Sequence, residues 1–184
     1  MSLKLVRLAA EVECSDDFHM ARLLLLLNAA SGRSDKPIQG IMKLAKMDFL
    51  LRYPNCLART LIALGKEKEA RMIPTEELTT IEARMIRFRF GPWDTRYRRW
   101  IGLLVAKGLA DTYVAGRAVN VKLTSVGKGV AERLAGFEEY IPINNRSKLV
   151  VTAVGDYSAT KLKDFIYEIF PELIDMEWGR NIEL

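Results

Sequence analysis

The chain has 184 residues, of which 49% are hydrophobic and 28% charged. These are ordinary values for a globular protein, and the length suffices to bury a core without disulfides or a structural metal. The formal net charge of +5 permits an acidic partner, either nucleic acid or an acidic protein surface. Two cysteines and one histidine at no metal-ligand spacing argue against a zinc site.

The cysteines, Cys14 and Cys56, are predicted to be reduced, buried thiols of a cytoplasmic protein. The start of the chain lacks the basic-then-apolar layout of a secretory signal. The uncharged apolar run 23–27 is far shorter than the roughly 20 residues that span a bilayer. No membrane association is therefore expected.

The first third of the chain predicts helices. Residues 18–30 are apolar over most of the helix circumference, which predicts a central buried helix capped by Asp16 or Asp17. Pro37 is expected to begin a second helix with apolar residues at three-to-four spacing. Pro54 ends or kinks that helix, and another amphipathic helix follows.

The segment 84–99 carries the charge of the molecule. It contains six arginines and one acid, Asp94, so its net charge of +5 equals that of the whole chain. Apolar residues alternate with Arg87 and Arg89 in its first half, which favours a strand with one apolar and one basic face. A helix running through Leu78 and Met85 competes with that strand.

The next elements follow from breakers and caps. Gly91-Pro92 ends the alternating pattern, and a helix is expected from Asp94 or Thr95 to about residue 106. Residues 109–114 and 119–123 predict a hairpin whose tip carries Arg117. Two later helices, 125–134 and 159–170, are expected to start after the capping residues Thr124 and Ser158.

This order of elements resembles a winged-helix module of the MarR-like and PadR-like kind. The resemblance rests on Lys107-Gly108-Leu109 at the end of the basic helix and on Leu123-Thr124-x-x-Gly127 after the hairpin. It implies a mainly α fold with a small β-hairpin, in which a winged helix-turn-helix-like domain carries extra helices. The expected domains are residues 1–135, with inserted helices at 48–92, and a C-terminal helical extension at 136–184 with an acidic tail.

Ten residues are the candidate binding residues. Arginines at a helix start oppose the helix dipole and need an acidic partner, and the same positions of a winged helix could meet phosphates. Nucleic-acid or acidic-partner contacts are predicted at Arg87, Arg89, Arg96, Arg98, Arg99 and Arg117. A protein interface is predicted at Trp93, Tyr97, Phe165 and Tyr167.

No catalytic signature stands out, and no cofactor or metal is expected. His19 has no serine, cysteine or metal-ligand companion, so a satisfied or exposed helix-start histidine is the favoured interpretation. Gly127-Lys128-Gly129 lacks the long loop and Ser/Thr of a phosphate-binding motif. The chain is therefore expected not to be an enzyme.

Two longer strings resemble a particular family. The string 43–54 reads Lys-Leu-Ala-Lys-Met-Asp-Phe-Leu-Leu-Arg-Tyr-Pro, and the string 85–94 reads Met-Ile-Arg-Phe-Arg-Phe-Gly-Pro-Trp-Asp, with Tyr97 beyond it. Together they look like the middle component of bacterial ABC-three-component systems, which include Lamassu-type anti-phage and anti-plasmid defence. The similarity covers roughly residues 18–135.

The family resemblance implies an accessory or adaptor subunit. Its implied partners are an SMC-like or Rad50-like ATPase and an effector, often a nuclease, with DNA and a second copy of the chain as further candidates. Residues 156–184 contain seven acids and three bases, so the chain has two regions of opposite sign, as an adaptor with two partners would need. The alternative is a stand-alone winged-helix transcription regulator that binds DNA.

Overall fold

The computed structural model describes residues 14–32 and 36–184, and it shows a mainly helical fold with two small antiparallel strand pairs. The strands are β1 (Ile86–Phe88), β2 (Gly91–Trp93), β3 (Ala110–Ala115) and β4 (Ala118–Leu123). The helices are α1 (Asp16–Ser31), α2 (Ile41–Arg52), α3 (Pro54–Ala63), α4 (Glu67–Ala70), α5 (Tyr97–Ala106), α6 (Ser125–Leu134), α7 (Ile141–Val154), α8 (Ala159–Ile169) and α9 (Glu172–Asp175). Two short 3₁₀ helices lie at Glu77–Thr79 and Glu138–Tyr140.

Helix α1 is the centre of the core, as its apolar circumference predicts. All residues from His19 to Leu27 are buried, and α1 packs against both α6 and α7. Its cap differs from the prediction, because the Ser15 hydroxyl rather than Asp16 or Asp17 accepts the hydrogen bond from the Phe18 N–H. A serine at the N-cap leaves both acids in the first turn, where the helix dipole favours them.

The elements follow one another in the order of a winged helix. Between α1 and α2, the Ile38 N–H donates to the Val121 carbonyl at 3.0 Å and the Val121 N–H donates to the Ile38 carbonyl at 3.1 Å, so residue 38 forms an isolated antiparallel bridge to β4. The expectation that Pro37 begins α2 is therefore wrong. The chain stays extended through this bridge, and α2 starts after Gly40.

The two strings behind the winged-helix resemblance meet in space. The Thr124 hydroxyl donates to the Gly108 carbonyl at 2.7 Å and accepts from the Gly127 N–H at 3.0 Å, while the Thr124 N–H donates to the Leu109 carbonyl. A Cβ at position 127 would lie 1.8 Å from the Leu109 oxygen, so only glycine fits there. This junction fixes where α5 ends, where the hairpin returns and where α6 begins.

The segment between α2 and α5 packs into the same core as the winged-helix elements. The C-terminal helices pack into that core as well. Arg146 on α7 is buried and donates to the Leu51 carbonyl, and its other nitrogens bind Glu77 and Glu82 of the inserted segment. Buried residues of α7 and α8 belong to the same hydrophobic cluster as those of α1 and α2. Helix α2 runs through the predicted insertion boundary at residue 48 and ends at Arg52. The predicted division into a domain 1–135, with inserted helices at 48–92, and an extension 136–184 stays a prediction. Residues 1–13 of the predicted first domain lie outside the described residues.

The strand predicted within 84–90 is present at Ile86–Phe88, and within it the basic residue is buried and the phenylalanine is exposed. Arg87 is 6% exposed, whereas Phe88 and Phe90 are 43% and 46% exposed. The Arg87 guanidinium donates to the Leu173 carbonyl and lies 5.3 Å from the centroid of the Tyr167 ring. The C-terminal segment also pairs with β1, since Arg87 N–H donates to the Arg180 carbonyl at 2.8 Å. Burial of Arg87 is therefore explained by partners that lie at least 80 positions away in the chain.

Candidate partner-binding face

The string 43–54 places a carboxylate at the centre of the molecule. Asp48 accepts from Arg22 Nε at 2.8 Å, from Arg52 Nε at 2.9 Å and from the Tyr97 hydroxyl at 2.6 Å. All four side chains are fully buried. They come from α1, α2 and the first residue of α5, so one carboxylate ties three helices together.

This network continues towards the surface through Arg52. Arg52 Nη1 donates to Asp94 Oδ2 at 3.0 Å, and Asp94 in turn accepts from Arg96 Nε at 3.0 Å and Nη2 at 2.9 Å. On the inner side, Arg22 Nη1 lies 2.6 Å from His19 Nδ1. Because a guanidinium can only donate, His19 Nδ1 accepts and carries no proton. We call His19, Arg22, Asp48, Arg52, Asp94 and Tyr97 the buried charge network.

The charges of the network determine its protonation. Burial alone would raise the pKa of Asp48, but Arg22 and Arg52 outweigh it and hold that pKa well below its usual range. The pKa of Asp94 is likewise lowered, because the hydrogen bonds from Arg96 and the charge of Arg52 exceed the effect of burial. Burial and the Asp48 charge raise the pKa of Tyr97. Both carboxylates are therefore ionised and the phenol is neutral at physiological pH.

The network connects the two strings behind the family resemblance. Asp48 and Arg52 belong to the first string, and their partners Tyr97 and Asp94 belong to the second. Tyr53 adds a further link, because its hydroxyl accepts from the Met85 N–H at 2.9 Å and donates to the Ile182 carbonyl at 3.0 Å. The strings thus share one interior packing arrangement, although Phe88, Arg89 and Phe90 of the second string are exposed.

The histidine and the two cysteines, which are the side chains with the most versatile chemistry, differ in burial. Within residues 14–32 and 36–184, no group of His, Cys, Asp and Glu side chains could hold a metal ion. Burial raises the pKa of the Cys56 thiol to about 12, which makes it unreactive. Cys14 is exposed rather than buried, contrary to the expectation for both thiols. His19 is fully buried among Arg22 and the Trp100 ring rather than exposed.

A buried lysine lies outside the network. Lys46 on α2 is 1% exposed, and its ammonium donates to the Met42 carbonyl at 3.2 Å. Burial, with a smaller contribution from the charge of Lys163, lowers the pKa of Lys46 to about 8. Within the described residues no carboxylate forms an ion pair with it. Lys46 therefore carries an energetic cost that a neutral side chain would not have.

The six predicted binding arginines fall into two groups. Arg87 lies in the interior, Arg96 is held by Asp94, and Arg99 forms a 2.6 Å ion pair with Asp16 although it is 69% exposed. The other three are exposed and form no ion pair within the part of the chain that the structure describes: Arg89, Arg98 and Arg117. Of the six, only these three are available to an acidic partner without breaking an ion pair.

The four aromatic residues predicted at a protein interface differ in burial and in their neighbours. Tyr97 is fully buried and its hydroxyl is bound to Asp48, which corrects its assignment to a partner interface. Tyr167 is half-buried beneath Arg87, and Phe165 is half-buried with its ring centroid 5.4 Å from that of Tyr157. Trp93 is half-buried between Tyr97 on one side, at 5.1 Å, and the exposed Phe88 on the other, at 6.3 Å. Trp93 is the member of the set that reaches a groove.

That groove has a volume of about 500 Å³ and lies between the hairpin tip and the starts of α2, α5 and α8. We call it the wing groove. It brings together two of the three available arginines, Arg98 and Arg117, which are separated by 19 positions in the chain. Apart from Gln39 and Gly40, the rest of the lining is apolar and includes Ile41, Met42, Trp93 and Val119.

The exposed face of α5 is the other surface that a winged helix would use. After Arg98 and Arg99 in the first turn, its exposed residues are Gly102, Val105 and Ala106, followed by Lys107. Base edges in the major groove are read mainly by side chains that donate or accept hydrogen bonds, and apolar contacts read only the thymine methyl group. The middle of this helix face has no hydrogen-bonding side chain.

Sequence reasoning missed the buried charge network. The available signal was the position of Arg22 and Asp48 within two helices whose other residues are largely apolar, since a charge is rarely buried without a partner. Their separation of 26 positions gave no local spacing to match.

None of the helices in the described ranges is long and apolar enough to cross a membrane. A comparison of the chain with protein-family models, curated proteins and solved structures finds no match.

Proposed function

We propose that this protein is a non-catalytic adaptor subunit that joins an SMC-like or Rad50-like ATPase to an effector in a bacterial defence complex directed against phage or plasmid DNA. The observation that carries the proposal is the exposed face of α5. At the position of a winged helix's recognition helix, the chain presents Gly102, Val105 and Ala106, whose side chains cannot form hydrogen bonds with base edges. A helix face of small or apolar side chains without hydrogen-bonding groups suits protein binding better than sequence-specific DNA binding.

The interior is compatible with this role. The two strings that resemble the ABC-three-component family converge on Asp48 and Tyr53, so a shared interior packing explains why they occur together. A defence-complex subunit would keep this packing while its surfaces adapt to different partners.

The surface offers two chemically different areas for an adaptor. One is the basic and apolar wing groove. The other is the C-terminal end, where Ile174 and Trp178 are exposed beside the exposed acids Asp175 and Glu177. An exposed tryptophan next to acids is typical of a protein interface rather than of a surface that binds nucleic acid.

The test is purification of the tagged full-length chain from its native host at physiological salt, followed by mass spectrometry. We expect recovery of a large ATPase with SMC-like features and of a second, effector-like protein, in constant ratio to the tagged chain. Recovery of a homodimer alone, with nanomolar affinity for one palindromic DNA, would contradict the adaptor role.

A stand-alone DNA-binding regulator is the second candidate, and one observation favours it. Arg98 in the first turn of α5 and Arg117 at the hairpin tip are the two places from which a winged helix contacts phosphates. A dimeric regulator would need half-sites about one helical turn apart. Gel-shift titration against a library of random duplexes separates the candidates, since only the regulator would select a palindrome.

A further inference from the structure

We infer that the wing groove is the docking site for an acidic, apolar segment of a partner subunit. The inference rests on the proposed function and deepens it, because it assigns one of the adaptor's two contacts to a defined surface and states the chemistry of the segment that fills it.

The charge of the groove requires an acidic occupant. Arg98 and Arg117 both line it, and neither forms an ion pair within residues 14–32 and 36–184. Among the described residues, none that lines the groove is acidic. Two guanidinium groups so placed favour a pair of carboxylates, since arginine binds carboxylate through parallel hydrogen bonds.

A helix start adds to this preference. Helix α2 begins at the groove, and its N-cap residue, Gly40, has no side chain that could cap the first turn. The first backbone N–H groups of a helix have no partner within the helix and carry a partial positive charge. Because Gly40, Ile41 and Met42 line the groove, this helix start favours the same sign of ligand as the two arginines do.

The rest of the lining requires an apolar component. Ile41, Met42, Trp93 and Val119 contribute carbon surface to the same groove as the two arginines. Aromatic surface continues from Trp93 beyond the groove, because the exposed Phe88 ring stacks on Trp93 with 6.3 Å between ring centroids. A phosphate backbone would leave this carbon surface in water, whereas leucine or phenylalanine side chains flanked by glutamates would cover it.

The size of the groove limits the occupant to a short segment. A volume of about 500 Å³ accommodates a few side chains rather than a domain face. The occupant is thus a stretch of peptide with acidic and apolar residues in close succession. Such segments bind weakly by themselves and act with the second surface of the adaptor to give a stable complex.

The experiment selects peptides from a random display library on the purified full-length chain, with no native partner present. We expect enriched sequences to combine Glu or Asp with large apolar residues. The fluorescein-labelled enriched peptide should then bind at least about tenfold more weakly to the double variant Arg98→Glu/Arg117→Glu than to the wild type. Arg98→Gln/Arg117→Gln should lose affinity in the same direction but by less.

The matched control is Arg71→Glu/Arg133→Glu, which changes the net charge equally at two exposed arginines outside the groove. It should bind the peptide with wild-type affinity. A peptide with its acids replaced by lysine should recover binding to Arg98→Glu/Arg117→Glu and not to the control. Circular dichroism confirms that each variant is folded.

The inference is wrong if no peptide is enriched, if the enriched peptides are not acidic, or if they bind the groove variant and the control alike. It is also wrong if a short mixed-sequence DNA duplex displaces the peptide from the wild type and itself depends on Arg98 and Arg117. None of these outcomes depends on recovery of an ATPase from the host, so failure here and failure of the adaptor role are distinguishable.

Discussion

Arginines of the interior and arginines of the wing groove have the same side chain and opposite surroundings. Arg22 and Arg52 are fully buried and share the carboxylate of Asp48. Arg98 and Arg117 are exposed and have no ion-pair partner in the described residues. A guanidinium can be buried only where other elements bring acceptors to it. The interior arginines therefore fix how helices pack, and the groove arginines are left for another molecule.

The largest expected effect comes from removing the shared acceptor. Asp48→Asn should lower the free energy of unfolding by about 3–5 kcal/mol, because Arg22 and Arg52 would be left without their buried counter-charge. Urea unfolding followed by circular dichroism measures the change. The exposed acid Asp175, changed to Asn, is the control and should stay within about 0.5 kcal/mol of the wild type. Equal effects at the two positions would erase the distinction between interior and surface charges.

The second effect has the opposite sign and concerns the buried cation without a counter-charge. Lys46→Met should raise the free energy of unfolding by about 3 kcal/mol at pH 7, because the folded state binds the Lys46 proton less tightly than the unfolded state does. Since the pKa falls from 10.5 to about 8, the cost is fully present below pH 8 and disappears as pH rises towards 10.5.

The measurement for Lys46→Met is the difference between variant and wild type at several pH values from 7 to about 10.5. Only the difference is informative, because the raised pKa values of Tyr53 and Cys56 destabilise both proteins as pH increases. Lys163→Met is the matched control and should give a smaller gain, since Lys163 contributes only the lesser part of the shift. A difference that does not change with pH would contradict the assignment to Lys46.

A third effect tests whether Tyr97 belongs to the interior. Tyr97→Phe removes the hydroxyl that donates to Asp48 at 2.6 Å and should cost about 2 kcal/mol, the usual range for a hydrogen bond to a charged group. Tyr113→Phe on the exposed strand β3 is the control and should be nearly neutral. Thermal or urea unfolding reports both. A neutral Tyr97→Phe would return this residue to the list of surface candidates.

The sequence predicted those parts of the fold that depend on neighbours in the chain. The hairpin 110–123 has strand residues on both sides of a Gly-containing turn, and α6 begins after the cap that Thr124 provides. Helix α8 is likewise capped by Ser158. In each case residues within a few positions determine the geometry, so local chemistry is sufficient.

Features that depend on distant residues were not predictable in the same way. Arg87 alternates with phenylalanines as an exposed basic residue would, but Leu173 and Tyr167 provide an interior acceptor and ring for it. Tyr97 lies among arginines in the sequence, yet it is buried and its hydroxyl donates to Asp48, which is 49 positions away. Of the candidate site, the sequence identified Arg98, Arg117 and Trp93, but it could not show that these three line one groove.

The smallest expected effect completes the comparison. Arg98→Glu/Arg117→Glu should leave the free energy of unfolding within about 0.5 kcal/mol of the wild type, because neither arginine has an ion pair to lose within the described residues. Urea unfolding of this variant and of Arg71→Glu/Arg133→Glu should give overlapping curves. A loss comparable to that of Asp48→Asn would mean that the groove arginines hold the fold together as the interior ones do. An unchanged stability together with lost peptide binding would instead separate the two roles of arginine in this chain.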